Sequence, residues 1–120
     1  HYDGEGIKMI DHYSFGRTVI DGKEYTRDLI IYPNKIHANW WRKEGHKLHI
    51  EDIKEVLEYK PEIFIVGTGY SGLMEVPKQV REEIEKRGIK LIVERTKEAC
   101  KIYNQLHKKH KVVVALHLTC

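Results

Sequence analysis

Four consecutive apolar residues, Ile63 to Val66, run into Gly67-Thr68-Gly69-Tyr70-Ser71-Gly72, and a proline follows at Pro77. No other stretch of this 120-residue chain constrains its fold as strongly. An apolar tetrad without polar alternation reads as a strand covered on both faces, which belongs to a parallel or mixed sheet between helices. The glycines spell G-x-G-x-x-G, a pattern that marks a strand, a tight turn and a helix cradling a dinucleotide. Pro77 opposes that reading. Proline suits the first position of a helix and breaks its interior, so the helix begins near Pro77. Gly67 to Met74 then form an open loop, and the third glycine cannot pack a helix onto the strand as a pyrophosphate site requires. Glu94 falls where a ribose-binding acid would lie, but the parallel portion is too short for two mononucleotide-binding halves. No cofactor is expected.

The first third of the chain reads as antiparallel strands. Arg17 to Ile20 and Lys23 to Thr26 flank Asp21-Gly22, a dipeptide that favours a two-residue hairpin turn. Leu29 to Tyr32 and Lys35 to Ala38 flank Pro33-Asn34, a second turn. A helix follows from Glu51-Asp52, with Ile53, Val56 and Leu57 on one face and Pro61 ending it. Strands and helices then alternate: Ile63 to Val66, a helix from Pro77 closed by a left-handed Gly88, Ile89 to Val93, and a helix capped by Thr96. Ala99, Ile102, Tyr103 and Leu106 mark the buried face of that last helix, and Val112 to Leu116 is the final strand. The order predicts an α/β fold: a single three-layer domain with a mixed, partly parallel sheet and an N-terminal antiparallel hairpin region. Residues 1–6 are read as an N-terminal tail and 7–120 as the domain.

Composition narrows the class. Hydrophobic residues make up 41% and charged residues 32%, and no apolar run is long enough to span a membrane. With no signal or transit segment read at the N-terminus, the expected location is the cytoplasm. A net charge of +3 does not by itself point to nucleic acid. The basic run His107 to Lys111 sits at a helix C-terminus, where cations complement the dipole, and no aromatic residue interleaves it for base stacking. Cys100 and Cys120, without C-x-x-C spacing, read as reduced thiols.

The chemistry-bearing residues form no complete catalytic set. Gly69-Tyr70-Ser71-Gly72-Leu73 misses the G-x-S-x-G nucleophile pattern at its last position. His46-x-x-His49, His107-x-x-His110 and His117-x-x-Cys120 resemble paired ligands but lack close cysteine pairs, and no metal is expected. Cys100 falls in the first turn of its helix, where the dipole can lower a thiol pKa, although its spacing with Ala99 and Tyr103 favours a packed core position. Asn104, a poor helix former inside a helix, is expected to be held by a specific hydrogen bond to loop backbone. On a strand, adjacent Trp40 and Trp41 would face opposite ways, leaving one ring for a loop, a partner or a ligand.

Taken together, Pro61-Glu62-Ile63-Phe64-Ile65-Val66-Gly67-Thr68-Gly69, Gly88-Ile89, and Thr96-x-x-Ala99-Cys100-x-x-Tyr103-Asn104-x-Leu106 resemble the family of mitochondrial complex I assembly factor three. Trp41-Arg42, Met74, Val76-Pro77 and the ending His117-Leu118-Thr119-Cys120 are similar to its cytosolic, adipogenesis-associated branch. The likeness runs from about Tyr13 to Cys120. It implies a three-layer α/β fold with a mixed five-stranded core sheet, no established catalysis, no cofactor, no metal, and action through protein partners. Trp41, Gly67, Thr68, Gly69, Gly88, Thr96, Ala99, Tyr103 and Asn104 match the family pattern, and His46 matches one branch. Gly72 lies outside it.

The leading expectation is a non-enzymatic cytosolic domain that binds a protein partner, as an assembly or accessory factor, with Trp41, Arg42 and His46 as candidate partner-binding residues. A monomer or weak homodimer is expected, with no nucleic acid and no membrane among its partners. The alternative is a small-ligand or anion site, of a binding protein or an enzyme, built on Gly67, Thr68, Gly69 and Ser71 of the glycine loop, with Asn104 or Cys100 lining it.

Overall fold

The computed structural model describes residues 9–120; the sequence-read tail at 1–6 lies outside the described residues. Eight strands and three helices follow one another among the described residues. A three-stranded antiparallel sheet comprises β1 (Ile10–Ser14), β2 (Arg17–Ile20) and β3 (Lys23–Tyr25). A five-stranded mixed sheet comprises β4 (Leu29–Tyr32), β5 (Lys35–His37), β6 (Ile63–Gly67), β7 (Lys90–Glu94) and β8 (Val112–Leu116). The helices are α1 (Lys54–Tyr59), α2 (Lys78–Lys86) and α3 (Thr96–Leu106).

The large sheet has the order β5-β4-β8-β6-β7. Its β4 pairs antiparallel with β5 and β8, while β6 pairs parallel with both β7 and β8. The apolar strands divide their side chains between two cores with a period of two. Ile30, Tyr32, Phe64, Val66, Val113 and Ala115 face one core, together with Val56 and Leu57 of α1 and Val80 and Ile84 of α2. Leu29, Ile31, Ile63, Ile65, Val112 and Val114 face the other, with Ala99, Cys100 and Tyr103 of α3 and Ile10 and Ile20 of the small sheet. Burial on both faces explains why β4, β6 and β8 carry no polar alternation.

The turn chemistry is as the sequence demands. Asp21 and Gly22 have φ of 48° and 81°, both left-handed, and close the β2–β3 hairpin with Ile20 opposite Lys23. Pro33-Asn34 joins β4 to β5, with Tyr32 opposite Lys35. Pro77 adopts an extended conformation immediately before α2, so the glycines from Gly67 to Gly72 stay outside that helix. Gly88, at φ 81°, ends α2 with the Gly88 N–H on the Glu85 carbonyl and the Ile89 N–H on the Ile84 carbonyl.

Four local features differ from the sequence expectations. Strand β1 is an addition to the expected elements: only Ile10 of its five residues is buried, and a register shift between Ile10 and His12 breaks its alternation. The helix expected from Glu51 opens instead as a 3-10 turn over Ile50–Ile53, where the His49 N–H donates to Asp52 Oδ2, and α1 proper starts at Lys54. Lys60 in the left-handed region ends α1 ahead of Pro61. The two tryptophans lie on a loop after Asn39 (φ 57°), not on a strand. Among the described residues, no helix is long and apolar enough to cross a membrane.

Candidate functional site

Strands β6 and β7 end side by side, with Gly67 opposite Glu94, and the loop after β6 begins there. Most of its backbone donors are spent inside the protein. The Thr68 N–H and hydroxyl both donate to the Glu94 carbonyl, at 2.9 and 3.1 Å. The Gly69 N–H donates to Thr96 Oγ1 at 2.8 Å, Tyr70 N–H to the Thr119 carbonyl at 2.6 Å, and Leu73 N–H to the Cys120 carbonyl at 3.0 Å. Gly72 and Met74 N–H groups turn back onto the Gly69 and Thr68 carbonyls. This loop is therefore a docking cradle for Thr119 and Cys120, not a nest of free N–H groups.

Two glycines allow the close approaches around this loop, one to Cys120 and one to Thr96. A Cβ on Gly69, whose φ is 110°, would lie 2.4 Å from the Cys120 carbonyl carbon. A Cβ on Gly67 would lie 2.9 Å from Thr96 Oγ1 and 3.1 Å from Thr96 Cα. Thr96, expected as a helix cap, has a different task. Arg95 occupies the cap position, and the fully buried Thr96 hydroxyl donates to the His117 carbonyl at 2.6 Å while accepting from Gly69. One hydroxyl thus ties the glycine loop, α3 and the end of β8 together.

Asn104 and Cys100 do not join this loop. The Asn104 carboxamide accepts from the Ile10 N–H at 2.8 Å and donates to the Ile10 carbonyl at 2.9 Å, so its partner is strand backbone and not the expected loop. Cys100 is buried in the core beneath α3, and burial pushes its thiol up to about 12, opposite to activation by the helix dipole. Ser71 is exposed at the rim of a cleft of about 540 Å³. Thr68, Gly72, Arg81, Glu94 and Arg95 also line that cleft.

The second constellation surrounds Trp41. Trp40 is buried and donates its indole N–H to the Asp52 carbonyl at 2.9 Å, whereas Trp41 is 82% exposed. Arg42 folds inward, its guanidinium 4.9 Å from the Trp40 ring centroid and 2.5 Å from Asp28 Oδ2. The same carboxylate oxygen lies 2.7 Å from His117 Nδ1, and Oδ1 accepts the Leu118 N–H at 2.8 Å. Burial alone would raise the Asp28 pKa, but hydrogen bonds from His117, Leu118 and Arg42 outweigh it and hold the carboxyl below its ordinary range. Since an ionised carboxylate only accepts, His117 Nδ1 carries the proton in this pair. His117 Nε2 and Arg42 Nε are buried without a partner, and His46 stands edge-on to His117 at 6.1 Å. The candidate residues Trp41, Arg42 and His46 are thus brought together around an Asp28–Arg42–His117 cluster.

Asp28 and His117 lie outside the sequence-derived candidates. A histidine continuing the apolar run of β8 is the available signal, because a buried imidazole there demands a polar partner. In front of the cluster lies an open groove of about 600 Å³, lined by Arg27, Asp28, Asn39, Trp41, Arg42 and Lys43 among others. No three His, Cys, Asp or Glu side chains converge as metal ligands among the described residues.

This arrangement, a mixed five-stranded sheet between helices with a small antiparallel sheet packed beside α3, is an α/β fold shared with a solved Mth938-like domain. The chain belongs to a family of proteins of unknown function, DUF498/DUF598, whose model matches residues 10–117. It is similar to the conserved hypothetical protein PH1505 from Pyrococcus horikoshii, at 30% identity over 92% of this chain and 98% of that one, with a TM-score of 0.79. It is similar also to MT938, at 26% identity over 93% and 98% of the two chains, with a TM-score of 0.77. A Mth938-like domain protein of Bordetella pertussis shares the fold at 18% identity over 92% and 85% of the chains, with a TM-score of 0.71.

Proposed function

We propose that this domain acts by binding a protein partner through the Trp41 groove, as a cytoplasmic accessory factor in assembling a larger complex. The observation that carries this reading is Trp41 itself: a large aromatic ring left 82% exposed on a loop that its neighbours hold rigidly. Trp40 is anchored to Asp52, and Arg42 is locked to Asp28, so the ring is presented at little entropic cost. An exposed tryptophan on a fixed loop has the character of an interface anchor. Arg27 and Lys43 on the groove walls favour a partner segment that sets acidic side chains beside an apolar one. The resemblance to the complex I assembly factor family supports the same kind of role. The domain works as a monomer or weak homodimer in this reading.

The test is affinity purification from cells that express the chain, with wild type and Trp41→Ala side by side. A companion retained by wild type, lost by the folded variant and weakened by added salt supports the proposal. A companion held equally by both, or none at all, overturns it. Because Trp41 is so exposed, the substitution should change stability by less than about 0.5 kcal/mol.

A further inference from the structure

The two helices that follow β6 and β7 leave the sheet on opposite sides. The chain after β6 climbs to α2, whose Val80 and Ile84 pack with Phe64 and Val66. The chain after β7 turns to α3, whose Ala99 and Tyr103 pack on the other face with Ile63 and Ile65. Adjacent parallel strands whose connections diverge in this way open a crevice at their carboxyl ends, the place where open α/β sheets hold ligands. The cleft of about 540 Å³ beside Ser71 occupies that position, and its volume suits a small molecule.

Its walls carry the chemistry of an anion site. Arg81 and Arg95 both line it, with the Ser71 and Thr68 side chains between the two connections. The Arg81 Nε–H is fixed to the Val76 carbonyl at 3.0 Å, which holds the guanidinium in place with its terminal nitrogens unspent. The Gly72 position touches the Arg95 stem, where a Cβ would lie 3.2 Å from Arg95 Cγ. Among the described residues, neither arginine forms an ion pair, although Glu75 and Glu94 stand in the same cleft. Both guanidiniums are solvent-exposed and, among the described residues, free of a carboxylate partner, so an oxyanion entering this concave site at the sheet switch point meets two cationic donors.

We propose that this crevice binds a small oxyanion, a carboxylate or phosphate, through Arg81 and Arg95, with Ser71 as a hydroxyl donor. The binding groups are side chains from two elements, since most backbone N–H groups of the loop are already taken. The site is separate from the Trp41 groove and does not depend on the function proposed for it.

The experiment is amide NMR of the full chain titrated at low ionic strength with inorganic phosphate and, separately, with malate, against sodium chloride as control. Saturable shifts confined to Ser71, Gly72, Arg95 and their neighbours are expected with at least one of the two probes. Arg95→Gln, at an exposed cap position, should weaken that binding about tenfold. Glu94→Gln should tighten it about threefold by removing a like charge. Trp41→Ala should leave it unchanged, which separates this site from the partner groove. Shifts that do not saturate, that chloride reproduces, that spread to Lys108–Lys111, or that survive Arg95→Gln at full affinity overturn the proposal.

Discussion

Asp28 and His117, 89 residues apart in the chain, meet at 2.7 Å, and the same carboxylate oxygen binds Arg42. The pair sets where β4 begins relative to where β8 ends, and it fixes the base of the Trp41 loop. Asp28→Ala would leave the buried Arg42 guanidinium and the Leu118 N–H uncompensated. A loss of about 3 kcal/mol is expected by chemical denaturation.

Acid should act on the same group. Hydrogen bonds depress the Asp28 pKa below its ordinary value of 3.8, so the folded protein binds its proton less readily than the unfolded chain. The stability this carboxylate contributes is whole above that value. It fades as pH falls through 3.8 toward the lower folded pKa. Denaturation midpoints measured from pH 6 to pH 2 should fall less steeply in Asp28→Asn than in wild type.

Thr96→Val keeps the shape and removes the hydroxyl. The Gly69 N–H and the His117 carbonyl would then both be buried without partners, at a cost of about 2–4 kcal/mol. Thr96→Ser should recover most of it. Hydrogen exchange at Gly69 should accelerate in the valine variant alone.

Gly69 and Gly88, both at positive φ, should respond differently to alanine. At Gly88 there is open space around the new methyl group, so the cost is the backbone term of about 1 kcal/mol. At Gly69 the methyl group meets Cys120 backbone as well, and the expected loss is several times larger. Thermal melts compare the totals. Faster exchange at Tyr70 and Leu73 in Gly69→Ala would locate the damage at the loop.

Cys100 and Cys120 should separate cleanly in a thiol-labelling experiment. Burial pushes the Cys100 thiol up to about 12, while Cys120 is half-buried at the surface. Native protein at pH 8 should take up one equivalent of reagent promptly, at Cys120, and the second only after unfolding. Equal rates at both positions would contradict the packing described for α3.

Local signals carry most of the fold. The apolar runs of β6 and β8, the turn dipeptides Asp21-Gly22 and Pro33-Asn34, and Pro77 each act within a few residues, so their meaning is readable in place. Strand β1 is hidden because Asp11 and His12 are exposed and the bulge beside them erases the alternation. The polar residues are harder for a different reason. Asp28, Thr96 and Asn104 find their partners 89, 21 and 94 residues away, and no spacing rule reaches so far. Thr96 resembles a cap because a hydroxyl at a helix start usually is one. Asn104 visibly needs a partner, but its own neighbourhood does not say which. The tryptophan pair says only that one ring stays outside the core; the loop after Asn39, not strand alternation, decides that it is Trp41.

Strand β1 lies at the border of the small sheet, with β2 as its only strand neighbour among the described residues. Asn104 occupies both polar groups of Ile10 on that strand, so a side chain stands in for the missing next strand. A second molecule therefore finds no template at Ile10 on which to extend the ladder. At this one residue the carboxamide closes the sheet edge as well as holding α3 to the strand.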